Sequence, residues 1–209
     1  IPSSLCFSLS QKQSRHSIMH TLTLQELTKQ HNVTAEDLTL VRRYGEVIKP
    51  ELPRYVERFY TWLEQQPEFD QFFKDSNKLR RVQSSQRSFW QRFFEIEFDD
   101  DYISSRRKLG EVHANIGLSL SAYFSALSFS QDLLLFELYP GGLSDADRSA
   151  CTRACLKLIQ VDASLVVEAY AKLNNERFSE QAQAMMAMST PVTSLWDHIL
   201  MLPVVGIID

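Results

Sequence analysis

The stretch DDDYISSRRKLGEVHANIGLSLSAYF, residues 99–124, decides the fold. It opens with three acids, Asp99 to Asp101, at a position where negative charge stabilises the N-terminus of a helix. One histidine and several apolar residues then recur at steps of three and four, which predicts that they share the apolar face of one helix. These residues are Leu109, Val112, His113, Ile116 and Leu120. Gly117 stands where we expect that helix to end.

His113 is the only histidine between residues 32 and 197. A zinc site needs several protein ligands, so one imidazole cannot build it. One imidazole can be the axial ligand of a haem, because the porphyrin supplies four further nitrogens. A lone histidine on an apolar helix face is nevertheless more often a core residue with satisfied hydrogen bonds. The residues alone leave both interpretations open.

The composition predicts a folded, mostly helical chain. Its 209 residues suit one domain, or one domain with a fragment of another. The net charge of −4 is spread along the chain with both signs mixed, which does not favour binding to nucleic acid or to an anionic membrane. No apolar run reaches the ~20 residues of a membrane span. Cys6, Cys151 and Cys155 form no disulfide framework, so we expect a reducing cytoplasm, with the last two cysteines as small buried hydrophobic residues.

The patterning predicts seven helices between residues 35 and 188 and no strand before about residue 200. Thr34 and Asp37 form a candidate capping box, and Ser76 is the expected cap of a helix from Asn77 to about Phe98. Residues 143–190 contain neither glycine nor proline, which predicts one helix of about 45 residues, on the order of 68 Å long. Such a helix must leave the core. Its thin apolar stripe predicts pairing with a second copy of the chain.

The ends of the chain differ from its body. Residues 1–18 are expected to be upstream sequence without structure, and residues 174–190 are expected to form a helical linker. The run from residue 191 to 209 contains alternating apolar residues that predict a β-strand entering a new domain. No glycine-rich phosphate loop or nucleophile elbow occurs, so the sequence does not indicate an enzyme.

Four phrases resemble the sensor globins of the globin-coupled sensor family. They are RFYTWL (58–63), SSQRSFWQRFF (84–94), DDYISSRRKLGEVHANIGL (100–118) and SAYFSAL (121–127). The pattern R-x-x-G-x-x-H-x-x-I-G-L, from Arg107 to Leu118, is quite specific. Tyr60 and His113 are 113 − 60 = 53 residues apart, which suits the family's spacing between its distal tyrosine and its proximal ligand. The tail from residue 189 onward resembles the start of a STAS domain in RsbR-type regulators of the bacterial stressosome.

The resemblance implies an all-α globin fold over residues 19–173, a long C-terminal signalling helix and a dimer formed through a helical bundle. It also implies a bound haem b, with His113 as the proximal iron ligand. The implied distal donor to O2 is the Tyr60 hydroxyl, and Ser85 or Gln86 is a second polar candidate. The remaining residues implied to line the haem are Phe59, Val82, Ile116 and Tyr123. No second distal histidine exists within the chain, so a bis-histidine haem is not expected.

The function implied by the resemblance is that of a cytoplasmic sensor of O2 or another diatomic gas, which regulates a stressosome with RsbS-type and RsbT-type partners in a stress response. The alternative is a haem-free helical interaction module, in which His113 and Tyr60 are core residues. A haem enzyme such as a peroxidase or dioxygenase is a weaker alternative, because no distal acid–base group is present for a peroxidase.

Overall fold

The computed structural model describes residues 22–188, 193–196 and 199–201. This part of the chain is helical apart from two short strands. The α-helices are α1 (Leu24–Gln30), α2 (Ala35–Ile48), α3 (Leu52–Leu63), α4 (Phe69–Phe72), α5 (Ser76–Glu95), α6 (Asp100–Asn115), α7 (Leu120–Asp132) and α8 (Asp145–Met188). A 3-10 turn, Lys49–Glu51, joins α2 to α3, and a π-helical turn, Leu133–Glu137, follows α7. The seven helices predicted between residues 35 and 188 are therefore present.

Side-chain caps start several of these helices. Thr34 and Asp37 form the predicted capping box of α2, and the Asp99 side chain accepts a hydrogen bond from the backbone N–H of Tyr102 at the start of α6. The prediction for α5 was wrong by a few residues. Its cap is Asp75, whose carboxylate accepts from the backbone N–H of Asn77 at 2.8 Å, and the helix ends at Glu95.

Two elements were not predicted. Helix α1 has only seven residues, and a capping box of Thr23 and Glu26 starts it. The π-helical turn forms where the backbone N–H of Leu138 donates to the carbonyl oxygen of Leu133, five residues earlier, at 2.9 Å. The hydroxyl of Tyr44 donates to the carbonyl of Leu134 within this turn, so a buried tyrosine satisfies part of the altered backbone.

The core lies among α2, α3, α5, α7 and the first half of α8. Helix α8 packs on both α2 and α6, while α3 packs on α5 and α7. The largest fully buried side chains of the core include Tyr44, Tyr55, Phe93 and Phe94. Cys151 and Cys155 are free and buried, which confirms that they pack as small hydrophobic residues.

Helix α8 confirms the predicted long helix. It runs without a break through 44 residues, about 66 Å at ~1.5 Å per residue. Its first half supplies buried residues from Cys151 to Tyr170. Beyond Leu173 its side chains are mostly exposed, including Phe178 (72%) and Met185 (74%). The far end of the helix therefore leaves the core, as its length required.

Residues after α8 form two antiparallel strands, β1 (Thr193–Trp196) and β2 (Ile199–Met201), with Thr193 opposite Met201. The expectation of no strand before about residue 200 was wrong, because these β-branched and aromatic residues already favour a strand. Residues 1–18 and the predicted strand after residue 201 lie outside the described residues. The proposed division into domains at residues 19, 174 and 191 stays a prediction.

No helix within the described ranges combines the length and the apolar character needed to cross a lipid bilayer.

Candidate functional site

Helix α6 has one face that packs against α8. The residues on that face are Tyr102, Ile103, Arg106, Gly110 and Ala114, and all of them are buried. At Gly110 the two helices touch, since a Cβ atom there would lie 2.8 Å from Ala169 Cβ and 2.9 Å from Val166 Cα. A glycine is therefore needed where α6 crosses α8.

The residues predicted to share one apolar helix face are divided in the structure, since α6 ends at Asn115 and Leu120 begins α7. His113 is half-buried, while Val112 and Ile116 are 47% and 46% exposed. The prediction of one continuous stripe was therefore only partly right. His113 lies two turns from Arg106, at the edge of the face that packs on α8, while Val112 and Ile116 lie further round the helix. The imidazole thus sits beside apolar side chains that no described residue fully covers.

The His113 ring is fixed by a backbone contact. Its Nδ1 lies 2.9 Å from the carbonyl oxygen of Leu109, one turn earlier. A carbonyl oxygen only accepts, so Nδ1 carries the proton and Nε2 carries the lone pair. Burial lowers the pKa of His113 despite the bond to Leu109, which favours the neutral ring. Nε2 makes no hydrogen bond with any described residue, so the ring presents a free ligand atom.

Tyr60 carries a second unpartnered polar group. Its side chain is buried on α3, edge-on to the rings of Phe59 and Phe73, and Phe59 is buried beside it. Within residues 22–188 its hydroxyl has no hydrogen-bond partner, although a core tyrosine normally finds one. Burial raises the pKa of Tyr60, so the hydroxyl stays protonated and remains a donor.

Gln86, by contrast, is engaged in a buried network. Its Nε2 donates to the hydroxyl of Tyr55 at 2.8 Å, and Trp90 Nε1 donates to the same hydroxyl at 2.8 Å. The Tyr55 hydroxyl also lies 2.9 Å from Ser130 Oγ. Gln86 Oε1 is enclosed without a partner among the described residues. The network joins α3, α5 and α7.

The remaining residues predicted to line the haem lie on α5, on α7 and at the end of α6. Tyr123 on α7 lies edge-on to His113, with ring centroids 5.9 Å apart, and Ile116 is one turn from the imidazole. Val82 is half-buried on α5, and Ser85 is exposed there. No hydrogen bond or ring contact among the described residues joins the His113 group to Tyr60.

Sequence reasoning missed two polar groups near the site. One is Tyr55 on α3, which no motif or spacing in the sequence singled out. The other is a buried ion pair between Arg106 on α6 and Asp162 on α8. A single sequence gives no sign that an arginine and an aspartate 56 residues apart form a pair. The more noticeable acidic residues, at 99–101, lie at the start of α6, where Asp99 is the helix cap.

These observations test whether the site suits a haem. A neutral imidazole with a free Nε2 can ligate iron, and uncovered apolar side chains beside it can contact a porphyrin. The hydroxyl of Tyr60, which has no partner within residues 22–188, can donate to a small ligand. The residues present fit the group on each count.

Comparison with known proteins places the chain in a class. The globin domain of the Geobacter sulfurreducens globin-coupled sensor superposes with a TM-score of 0.67 at 21% sequence identity, covering 72% of this chain and 99% of that chain. The globin domain of Escherichia coli DosC in its ferric form gives 0.60 at 15% identity, covering 69% and 97%. Its ferrous form gives 0.59 at 15% identity, with the same coverage. The described helices therefore have the globin fold found in sensor globins, which confirms the predicted fold class.

The family is defined by a second comparison. The Protoglobin family model matches residues 21–176, well over half of the chain. The chain belongs to the Protoglobin family.

Proposed function

We propose that this domain binds haem b and senses O2 or another diatomic gas. The observation that carries the proposal is the His113 ring, whose Nδ1–H is held by Leu109 while Nε2 is left free among uncovered apolar side chains. Membership of the Protoglobin family and the fold shared with globin-coupled sensor domains support the same conclusion.

When bound, the haem iron supplies a coordination position for a diatomic ligand. The protein's own residues do the rest. His113 offers Nε2 to the iron, and the Leu109 carbonyl fixes the tautomer and the ring plane. Phe59, Val82, Ile116 and Tyr123 would line the haem. Tyr60 donates a hydrogen bond on the distal side, which favours ligands that carry partial negative charge by about 1.5–3 kcal/mol.

Of the two further polar candidates, Ser85 is exposed on α5 and Gln86 is bonded to Tyr55. In our proposal Tyr60 is therefore the principal distal donor. The Tyr55 network holds the helices that carry Tyr60 and Gln86 in register, since its bonds join α3, α5 and α7.

The output part of the proposal concerns α8. We propose that the chain forms a homodimer through its helices and that the exposed end of α8, with Phe178 and Met185, pairs with its copy. His113 would couple ligand binding in the pocket to α6, and a shift of α6 would alter the packing of α7 and α8 at the dimer interface. The role is sensory rather than enzymatic. The output would be a STAS domain of a cytoplasmic stressosome with RsbS-type and RsbT-type partners, supported by the resemblance of residues 189–209.

Haem titration tests the binding step. We expect saturation at one haem per chain for the wild type and for His31→Ala, a matched histidine substitution on the same domain. His113→Ala should abolish the saturable Soret band. If His113→Ala binds haem as the wild type does, the ligand assignment is wrong. If no variant binds haem, the domain would instead be the haem-free interaction module, with the exposed side chains of Val112 and Ile116 available to a protein partner.

The dimer and the coupling need separate tests. Sedimentation of the chain shortened after residue 173 should give a monomer if the end of α8 supplies the pairing surface.

Disulfide crosslinks between cysteines introduced along residues 174–186 should change in rate when O2 is added. Unchanged crosslinking would refute the coupling while leaving haem binding intact.

A further inference from the structure

The buried pair of Arg106 and Asp162 is an unusual feature of the α6–α8 contact. Arg106 Nε lies 2.9 Å from Asp162 Oδ2, and the side chains are only 2% and 7% exposed. The contact is an ion pair rather than a directed hydrogen bond, since neither Nε nor Nη2 of Arg106 has a hydrogen-bond partner among the described residues. The hydroxyl of Tyr102 donates to Asp162 Oδ1 at 2.7 Å, so both carboxylate oxygens are engaged. Charges this deeply buried are costly to desolvate unless their partners are well placed.

Aromatic rings hold the guanidinium from both sides. Its carbon lies 4.0 Å from the centroid of the Phe89 ring and 4.2 Å from that of the Tyr102 ring. Phe89 belongs to α5, Tyr102 to α6 and Asp162 to α8. We call these four residues, Phe89, Tyr102, Arg106 and Asp162, the buried clamp. The clamp ties together three helices, two of which carry proposed haem-pocket residues.

The clamp is in register with the proposed iron ligand. Arg106 and His113 are seven residues apart on α6, two helical turns or about 10.5 Å. They therefore share one side of the helix. Between them, Gly110 touches Val166 and Ala169 of α8. Beyond His113, the hydroxyl of Tyr170 on α8 donates to the carbonyl of Leu118 at 2.8 Å. Helix α6 and the turn after it are thus fixed to α8 on both sides of His113.

We propose that Arg106, Asp162 and Tyr102 are positioning residues that fix α6 on α8 and so set where the His113 imidazole stands toward its iron. This inference rests on the proposed function. A guanidinium held by one carboxylate and two rings allows little sliding of α6 along α8, and any sliding moves the imidazole by the same distance. The buried clamp also fixes α6 in the haem-free protein, because none of its contacts involves the cofactor.

The adjacent residue provides a matched control. Arg107 also reaches α8, where its Nη2 lies 3.5 Å from Glu168 Oε2, but both side chains are 25% exposed. The same Nη2 donates to the carbonyl oxygen of Leu22 at 2.5 Å, a contact with the segment before α1 and not with α8. A partly exposed pair of this kind is screened by solvent and constrains its partners weakly. Arg107→Gln and Arg106→Gln remove the same group from neighbouring positions on the same helix, and only the second opens the buried clamp.

The test uses the full chain with two readouts. In the ferrous haem protein, resonance Raman spectroscopy measures the iron–histidine stretching band, which reports the placement of the imidazole. In the haem-free protein, hydrogen exchange measures the protection of the backbone amides of residues 107–115. We expect Arg106→Gln and Tyr102→Phe to shift or broaden the band and to lower protection at least tenfold. Arg107→Gln should leave the band in place and protection within twofold of the wild type.

Equal behaviour of the Arg106 and Arg107 variants would overturn the inference. If Arg106→Gln fails to fold, Tyr102→Phe decides, because it removes one hydroxyl and keeps the ion pair. A wild-type protein without a Soret band would refute the proposed function. The exchange measurement would in that case still show whether the clamp holds α6, so the two failures are distinguishable.

Discussion

The Nδ1 atom of His113 lies 2.9 Å from the carbonyl oxygen of Leu109, one turn earlier in the same helix. This bond favours the ligand interpretation of His113 that the sequence left open beside the core interpretation. Nε2 has no hydrogen-bond partner among the described residues, so it stays available to a ligand. The orienting bond and the free nitrogen together are what a metal-ligating imidazole requires.

The same histidine predicts a pH dependence. Its pKa in the folded chain is lowered by burial, below the ordinary value of 6.5. The unfolded chain then binds more protons between the two pKa values, so the free energy of unfolding falls as the pH drops below about 6.5. We expect haem-free wild type to lose stability over this range in urea titrations, and His113→Gln to lose less. Identical pH profiles for the two proteins would contradict the buried, neutral ring.

Tyr60 gives a prediction about ligand release. Tyr60→Phe removes the unpartnered hydroxyl and leaves the ring packed against Phe59 and Phe73. Because the lost bond is worth about 1.5–3 kcal/mol, O2 should dissociate roughly 10 to 100 times faster. Carbon monoxide carries less charge and serves as the internal control, with a much smaller change. Stopped-flow release of both gases measures this, and an equal acceleration of both would indicate a steric effect.

The Tyr55 network gives a prediction about stability. Tyr55→Phe removes the one acceptor shared by Gln86 Nε2 and Trp90 Nε1 and strands two buried donors. We expect the free energy of unfolding to fall by about 2–4 kcal/mol. Adding Gln86→Leu should recover part of this loss, since it removes a stranded amide along with the enclosed Oε1. Urea unfolding followed by tryptophan fluorescence measures both. A loss below about 1 kcal/mol for Tyr55→Phe would mean that the network contributes little.

Gly110 gives a prediction about helix packing. A methyl group at this position would lie 2.8 Å from Ala169 Cβ and 2.9 Å from Val166 Cα, so α6 must move away from α8. Gly110→Ala should lower the free energy of unfolding by about 1–3 kcal/mol despite the better helix propensity of alanine. The double variant with Ala169→Gly should recover part of the loss. Stabilisation by Gly110→Ala alone would show that the helices are not in close contact there.

Much of the fold could be predicted because its signals are local. The Thr34–Asp37 capping box and the acids before α6 act within one helical turn, and the absence of glycine and proline over residues 143–190 required the long helix. The seven-residue α1 and the π-helical turn at Leu133–Glu137 were missed. The first is too short to show a period, and the second depends on a buried Tyr44 that donates from 90 residues away.

The site was predicted less completely. Periodicity placed His113 on an apolar stripe, yet it could not show that α8 packs at Gly110, on the neighbouring face, and leaves Ile116 half exposed. The resemblance to sensor globins named Tyr60 as the distal donor and Ser85 or Gln86 as a second candidate. Only the structure separates them, because Gln86 is bonded to Tyr55 while the Tyr60 hydroxyl has no partner within residues 22–188.

The most direct test of the central claim is the absorption spectrum of the ferrous protein, purified with haem supplied, before and after O2 or carbon monoxide is added. We predict one Soret band that moves with each gas in the wild type and that is absent in His113→Ala. A wild-type protein without haem, or a Soret band that neither gas shifts, would contradict the proposed gas-sensing function. The domain would then be a globin-fold module that binds protein partners.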